Sequence, residues 1–299
     1  MPNIVRLLIV CCFISLVIAQ AQQAPPPARQ NPSPMVDTTR SHLRLQKQEV
    51  PGKRFQLSTG TLYLSPKFRV RSKVPLIVHF HGASWLVEYH LMRNWPQAAL
   101  VTVHLGAGSG IYSQTFSQGQ RFAALTDEAI NYLRQATGQE AQWSSITLVS
   151  FSAGYGAIRS ILRQSEHYER VDAIFLADSL HTSYIPEGAP GKLDESLLEV
   201  FARFARDAAE RHKHMWVTHS EVYPGTFAST TETADYLLDY LKLKREPVLR
   251  WGPVGMQQLS RARLGNFHLA GFAGNSAPDH MDHFYAMGDW LKELRRALR

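Results

Sequence analysis

Ser152 stands where an apolar run gives way to a stretch of small residues. Leu148 and Val149 end a predicted strand, the segment Ser150-Phe151-Ser152-Ala153-Gly154 follows, and a helical pattern continues from Ala157. A residue at which a strand turns directly into a helix adopts strained backbone angles, and its neighbours must be small so that the two elements can pass closely. The turn lifts the hydroxyl above the sheet and points the free N–H groups of the helix start at a developing anion. The spacing predicts a nucleophilic serine; the alternative is a glycine-rich helix start without chemistry.

This segment resembles the nucleophile elbow of the α/β-hydrolase superfamily, G-x-S-x-G, with Ser150 in place of the first glycine. A second motif, His81-Gly82, ends an earlier strand, as a His-Gly pair does in that superfamily. The resemblance implies that the N–H of Ala153 and that of Ala83 or Ser84 form the oxyanion hole. It covers most of residues 55–299 and implies a serine hydrolase.

The resemblance also implies where the general base lies. In this superfamily the order along the chain is serine, acid, histidine, and the histidine sits in a loop before the last helix. His280, beside Pro278, matches that position best. His283 would lie in the first helical turn and is the reserve candidate. Both alternatives stay open at this point.

The acid has two candidates. Asp178 ends the apolar strand AIFLAD, where a carboxylate is costly unless it is paired, and this favours a functional role. Most members of the superfamily place the acid one strand later, and there Glu221 is the carboxylate at the strand end. Asp178 is favoured because it directly follows the apolar strand.

Apolar runs alternate with amphipathic patterns along the chain, and this predicts the elements that must hold these residues. The predicted strands, unalternated and rich in Val, Ile and Leu, are 74–80, 99–105, 145–151, 172–178 and 214–220. The predicted helices are 119–137, 154–164, 193–211, 230–243 and 281–298. The pattern predicts an α/β fold with a mostly parallel central sheet and helices on both faces. Residues 182–195 are too few for a substantial cap, so an open site with little or no cap is expected.

Composition limits the possible classes of protein. The chain has 299 residues, of which 44% are hydrophobic, and a formal net charge of +7. Such a chain can build a packed core. The basic residues are scattered and no recognition motif accompanies them, so nucleic-acid binding is not expected.

The N-terminus predicts export. Residues 1–21 combine Arg6, an apolar run and a small-residue cleavage site, the pattern of a signal peptide, with an uncleaved anchor as the alternative. Residues 22–40 are rich in Pro and Gln and are predicted to be a disordered linker before a hydrolase-like domain over 41–299. Both cysteines lie in the signal segment. The mature chain is therefore expected to have no disulfide. Because the signal segment would be removed, the mature chain is also expected to have no stable membrane span and to be periplasmic or secreted.

Several weaker signals complete the sequence-based predictions. Trp85 and Tyr155 are expected to line the substrate pocket, and the glycine-rich segment 106–110 is expected to be a loop with no helix opening after it. Tyr112 and Phe116, which follow this segment, are candidates for a wall of the site. His79 and His81 lie two apart on a predicted strand, and histidines and aspartates cluster around His280. The His-x-His pair lacks the Asp-His that follows it in zinc β-lactamases, with Gly82-Ala83 in that place, so no metal is expected.

The resulting hypothesis is an exported serine hydrolase that cleaves carboxylic esters through Ser152, His280 and Asp178, with no cofactor. Its partner would be a small-molecule or polymeric ester; the sequence leaves the oligomeric state open. Two alternatives remain: a catalytically inactive hydrolase-fold protein that binds an envelope ligand, and a serine peptidase.

Overall fold

The computed structural model describes residues 41–298. The predicted signal peptide (1–21) and linker (22–40) lie outside the described residues. Within them, one ten-stranded sheet runs through the molecule. Its strands, with the two short strands β7 and β8 that pair separately, are β1 (Lys53–Leu57), β2 (Gly60–Leu64), β3 (Lys73–Phe80), β4 (Ala99–Val103), β5 (Gln142–Phe151), β6 (Ala173–Ala177), β7 (Tyr184–Ile185), β8 (Lys192–Leu193), β9 (His214–His219), β10 (Glu246–Trp251), β11 (Gln257–Leu264) and β12 (Phe267–Phe272).

The sheet is parallel in its centre and antiparallel at both ends. Its order is β1-β2-β4-β3-β5-β6-β9-β12-β11-β10. Neighbours from β4 to β12 run parallel, whereas β1, β2, β10 and β11 pair antiparallel. Parallel strands bring their carboxyl ends to one edge of the sheet. The residues that follow β3, β5, β6 and β9 therefore meet at this edge.

Helices cover both faces of the sheet. They are α1 (Ser84–Asn94), α2 (Ser109–Ser117), α3 (Arg121–Thr137), α4 (Tyr155–Leu162), α5 (Ser165–Arg170), α6 (Glu199–Ala209), α7 (Thr230–Tyr240), α8 (Ala277–Tyr285) and α9 (Met287–Ala297). Helices α2, α3, α4, α6 and α7 pack their apolar stripes into one core cluster, and α1, α8 and α9 into a second. Successive residues of β3 point to opposite clusters, Val78 to the first and Ile77 to the second. This alternation explains why the strand is apolar throughout.

The predicted fold class is confirmed: a mostly parallel central sheet with helices on both faces. Between β6 and α6 the chain forms only the small hairpin of β7 and β8 and a short 3₁₀ turn. No helix in the described part of the chain is long and apolar enough to cross a membrane.

Two predicted elements were wrong in detail. A helix does open in the glycine-rich segment: Gly108 adopts a φ of 85° and α2 begins at Ser109. Tyr112 and Phe116 consequently lie on α2, fully buried in the core, and do not form a wall of the site. The single closing helix is two: α8 begins early, where Ser276 and Asp279 form a capping box, and Ala286 separates its end from α9.

Candidate active site

Ser152 occupies the turn between β5 and α4, where residues 152–154 form a short 3₁₀ turn. Its φ is +48°, in the left-handed region that a non-glycine residue rarely adopts. Such a conformation costs about 1–3 kcal/mol and persists only where the surroundings enforce it. Here they do. A Cβ on Gly154 would lie 2.3 Å from the carbonyl oxygen of Phe80, so the end of β3 passes directly against the turn.

The residue that departs from the glycine pattern has a structural partner. The hydroxyl of Ser150 is buried and lies 2.7 Å from that of Ser179, which follows β6. Ser179 in turn donates to the carbonyl oxygen of Ser152 at 2.7 Å. Because the Ser179 proton is used there, Ser150 is the donor of the first bond. The serine that replaces glycine thus helps to fix the backbone of the turn.

Asp178 and His280 meet at the same edge of the sheet. Oδ2 of Asp178 lies 2.7 Å from Nδ1 of His280, which is contributed by α8. The carboxylate can only accept, so Nδ1 carries the proton and Nε2 is left as a free acceptor. The side chain of His280 is 24% exposed, whereas that of Asp178 is 1% exposed. The imidazole therefore connects a buried carboxylate with the surface of the site.

Asp178 accepts further hydrogen bonds on both oxygens. The N–H of Ser220 and the hydroxyl of Thr230 donate to Oδ1 at 2.8 and 2.5 Å, and the hydroxyl of Ser220 donates to Oδ2 at 2.7 Å. Burial alone would raise the pKa of this carboxyl. The imidazoles of His283 and His280 and the Thr230 hydroxyl outweigh burial and hold its pKa well below the usual range.

An aromatic stack holds His280 against Phe151, the residue before the serine. The ring of His280 stacks on that of Phe151 with centroids 4.6 Å apart. Phe151 stacks on Phe284 of α8 at 4.9 Å. The ring of Phe284 fills the space beside Gly82, where a Cβ would lie 2.6 Å from it. The three rings thus join α8, β5 and the loop after β3.

The reserve candidates lie elsewhere. His283 is fully buried, its Nδ1 lies 2.8 Å from the hydroxyl of Thr218, and burial lowers its pKa. Glu221 is paired with a backbone group: its carboxylate accepts from the N–H of Gly274 at 3.1 Å, which fixes the loop leading to α8. The structure brings Asp178, and not Glu221, to His280.

Three backbone positions were predicted for an oxyanion hole. Ala153 follows Ser152 in the first turn of the 3₁₀ segment, where N–H groups have no intrahelical partner. Ala83 and Ser84 are exposed at the N-terminal end of α1. Gly82, just before them, donates its N–H to Nδ1 of His104 at 3.3 Å and so is already engaged.

A cleft of about 580 Å³ opens at Ser152. Tyr155, His181, Arg159 and Phe227 line it, and His181 turns its Nδ1 to the carbonyl oxygen of Ala228 at 2.8 Å. Tyr155 was predicted to lie here. Trp85 was not brought to this cleft: it packs, partly buried, against the core cluster under α1.

One group of described residues could hold a metal ion by spacing alone. Ligand atoms of His42, Asp279 and Asp282 lie within 4.8 Å of one another. Their chemistry is already used, because Arg44 donates to Asp282 at 2.5 Å and Ser276 donates to Asp279. The group ties the N-terminal segment to α8.

Sequence reasoning missed three contributors to the site. Ser220, directly after β9, donates both its N–H and its hydroxyl to Asp178. Thr230 reaches Asp178 from the start of α7, 52 residues away, and no local pattern signals that approach. Arg159 follows Tyr155 by one helical turn, a spacing that could have placed it on the same face of α4.

Comparisons with known proteins find similarity in fold and no match in sequence. No protein-family model matches this chain, and no curated protein matches it by sequence. Among solved structures, the enterobactin esterase of Shigella flexneri is similar with a TM-score of 0.50 and 13% identity over 85% of this chain. A puromycin-hydrolyzing peptidase of Mycobacterium tuberculosis has a TM-score of 0.47 at 13% identity over 86% of this chain, and the carboxylesterase CesB of Bacillus subtilis 0.40 at 10% over 84%.

The match spans 61% of the enterobactin esterase, 42% of the peptidase and 92% of the carboxylesterase. At such identities the likeness concerns the fold. The sheet order, the strained turn after β5 and the similarity to the enterobactin esterase together define the class: this chain has the α/β-hydrolase fold.

Proposed function

We propose that this protein is a serine hydrolase that cleaves carboxylic esters, with Ser152 as nucleophile, His280 as general base and Asp178 as the acid that orients it. The observation that carries the proposal is the 2.7 Å contact between Asp178 and His280, whose ring stacks on the residue before the strained Ser152. Serine, acid and histidine from separate loops at one sheet edge are the arrangement that nucleophilic acyl transfer requires.

In the first half-reaction, Oγ of Ser152 attacks the ester carbonyl carbon while Nε2 of His280 takes its proton. The carbonyl oxygen becomes an oxyanion, and the N–H groups of Ala153 and of Ala83 or Ser84 are proposed to stabilise it. Asp178 stays ionised and stabilises the imidazolium. Its low pKa supports that role.

The tetrahedral intermediate then collapses. The bond between carbon and the leaving oxygen breaks, and His280 gives its proton to the departing alkoxide, which leaves an acyl group on Ser152. His280 next takes a proton from water, which attacks the acyl carbon, and returns that proton to Ser152 as the acid is released. The protein's own side chains suffice for every proton transfer.

Two features favour an ester hydrolase over a binding protein or a peptidase. The site has no large cap in the described part of the chain, and the serine, histidine and aspartate of the proposed mechanism are all present. The β7–β8 hairpin is short, and its Glu187 and Gly188 form part of the wall of the cleft, so we expect a small-molecule or polymeric ester to have access. The protein of similar fold from Shigella flexneri is an esterase that acts on enterobactin. We further propose that the protein is exported, as the N-terminal sequence predicts. Sequencing the N-terminus of the secreted protein tests this proposal.

The test is labelling with a fluorophosphonate probe, which reacts only with an activated serine. The purified protein is expected to be labelled, and Ser152→Ala to lose all labelling. Ser117→Ala, a serine on the exposed part of α2, is the matched control and is expected to label like the wild type. Hydrolysis of phenyl hexanoate is measured in parallel, with a peptide panel beside it.

Each outcome decides between the alternatives. Labelling with ester hydrolysis supports the proposal, and labelling with cleavage of peptides alone identifies a serine peptidase. A folded wild-type protein that neither labels nor hydrolyses contradicts the enzyme and favours the ligand-binding alternative.

A further inference from the structure

Arg159 lies in the cleft at Ser152, and Glu187 lines the same cleft, but no described residue forms an ion pair with Arg159. Arg159 is half-buried on α4, and its guanidinium lies over the ring of Tyr155, 5.4 Å from the centroid. It donates to the hydroxyl of Ser113 at 3.3 Å. That hydroxyl in turn donates to the carbonyl oxygen of Gly156 at 3.2 Å, so it is fixed as an acceptor.

This single weak bond uses one of five N–H donors. Among residues 41–298, no carboxylate lies within 4.0 Å of Arg159. Asp194, whose charge acts on Arg159, is already hydrogen-bonded by Ser196 at 2.6 Å. Burial lowers the pKa of the guanidinium, yet it stays charged at any physiological pH. A partly desolvated charge of this kind is costly unless an anion joins it.

From this geometry we propose that Arg159 binds a carboxylate on the substrate, so that the enzyme is selective for esters that carry a negative charge away from the scissile bond. The inference rests on the proposed function. Arg159 follows Ser152 by seven residues, about 10 Å along a helix axis, and helical side chains lean toward the N-terminus. Both residues line the cleft, and the position of the guanidinium over Tyr155, one turn nearer to Ser152, agrees with that lean. An acyl chain of about six carbons has a length of the same order as this rise, so the test uses that length.

The test compares two phenyl esters of equal acyl length, neutral phenyl hexanoate and anionic monophenyl adipate. The wild type is expected to prefer the adipate ester in kcat/KM, mainly through KM. Arg159→Gln is expected to lower that preference by about tenfold to a hundredfold, because a hydrogen-bonded charge pair is lost. Arg159→Lys is expected to restore part of the preference.

Arg163→Gln is the matched control, since Arg163 lies one helical turn further, is exposed and donates to the carbonyl oxygen of Ser196. A second pair, phenyl and 4-carboxyphenyl hexanoate, places the charge on the leaving group instead. A preference for either anionic ester that Arg159→Gln removes supports the inference. Hydrolysis of the neutral esters without any such preference overturns it and leaves the proposed function standing.

A protein that labels with the fluorophosphonate but hydrolyses none of these esters is tested by protection. Adipate, but not its neutral diamide, is expected to slow labelling of Ser152 in the wild type and not in Arg159→Gln. Equal protection by both compounds, or by neither, overturns the inference. A folded wild type without labelling contradicts the proposed function itself.

Discussion

Asp178 combines two properties that are costly separately: a buried charge and a φ of +43°. Four donors converge on its two oxygens, from Ser220, Thr230 and His280. A buried carboxylate with four donors is stable only while all of these hydrogen bonds are formed. The residue therefore contributes both to the orientation of His280 and to the stability of the carboxyl edge of the sheet.

Asp178→Asn keeps the shape and removes the charge. Its NH₂ group must face a donor, which leaves a buried group unpaired and places His280 in the wrong tautomer. We expect kcat/KM to fall about a thousandfold or more and the free energy of unfolding to fall by about 3 kcal/mol. Ester hydrolysis and urea unfolding measure the two effects. Glu221→Gln is the control for the alternative acid, because its side-chain oxygen still accepts from Gly274; a loss as large as that of Asp178→Asn would identify Glu221 as the acid.

The pH dependence of that stability has a defined sign. The carboxyl of Asp178 has a pKa below its unfolded value of about 3.9, so the folded state binds fewer protons. Its stabilising contribution is fully present above about pH 5 and is lost as pH falls through the folded pKa. We expect the difference in unfolding free energy between wild type and Asp178→Asn to be constant from pH 5 to 8 and to narrow below pH 4. A difference that widens in acid would contradict the paired carboxylate.

At the scale of elements, the turn after β5 depends on a close approach. Gly154→Ala would place a methyl group 2.3 Å from the carbonyl oxygen of Phe80. Because that neighbour is backbone, the strand end or the turn must shift. We expect a loss of about 2–4 kcal/mol in unfolding free energy and loss of most ester hydrolysis. Gly110→Ala, at a glycine with open space around it, is the control and is expected to change neither.

A strap from the N-terminal segment fixes α8. Arg44 donates to Asp282 at 2.5 Å and to the carbonyl oxygen of Pro278 at 2.8 Å, and His42 contacts the same carboxylate at 2.9 Å. Asp282 is fully buried. The strap of His42 and Arg44 therefore fixes the helix that carries His280.

Arg44→Met removes the guanidinium and leaves the buried carboxylate of Asp282 with less compensation. We expect the free energy of unfolding to fall by about 1–3 kcal/mol and kcat to fall more than KM rises, since His280 loses its fixed position. Arg71→Met, an exposed arginine, is the control. Equal melting temperatures and equal kcat for Arg44→Met and wild type would show that the strap has no such effect.

The predictability of the fold differed between elements for physical reasons. The strands buried on both faces, such as β3 and β6, were visible as apolar runs. The strands β10 and β11 were not, because β10 is mostly exposed and β11 alternates with arginines. Ser152 and its small neighbours signalled the turn locally, whereas the donors to Asp178 from Thr230 and Ser220 come together only through the sheet. The choice between Asp178 and Glu221 required that long-range geometry.

At the scale of the whole molecule, two buried histidines are expected to lower the free energy of unfolding in acid. His79 and His219 are 1% and 5% exposed. Burial, with the charge of His81 and of Arg245 respectively, lowers the pKa of each to about 3. Both are neutral when folded, and in the unfolded chain they take up protons below about pH 6.5. Stability is therefore expected to fall as pH drops from 6.5 toward 3.

The expected cost is about 2–3 kcal/mol for each of the two histidines at pH 4.5 relative to pH 7.5. Nε2 of His79 is buried and has no hydrogen-bond partner among residues 41–298, so His79→Met can fill the space without losing a bond at that atom. We expect this variant to lose about 2–3 kcal/mol less than the wild type between these pH values, as measured by urea unfolding. An identical pH slope in both proteins would show that His79 does not titrate on unfolding.

The place of β12 in the sheet has a consequence for how the molecule is made. This strand lies between β9 and β11, and α8 with His280 follows it. His280 is 102 residues beyond Asp178, and at about 5–20 residues per second a ribosome needs about 5–20 s to add them. Throughout that interval the nascent chain carries Ser152 without the histidine that we propose as its base. The proposed hydrolysis cannot begin until β12 has been made and α8 has followed it. A chain that ends before α8 is expected to be inactive toward esters.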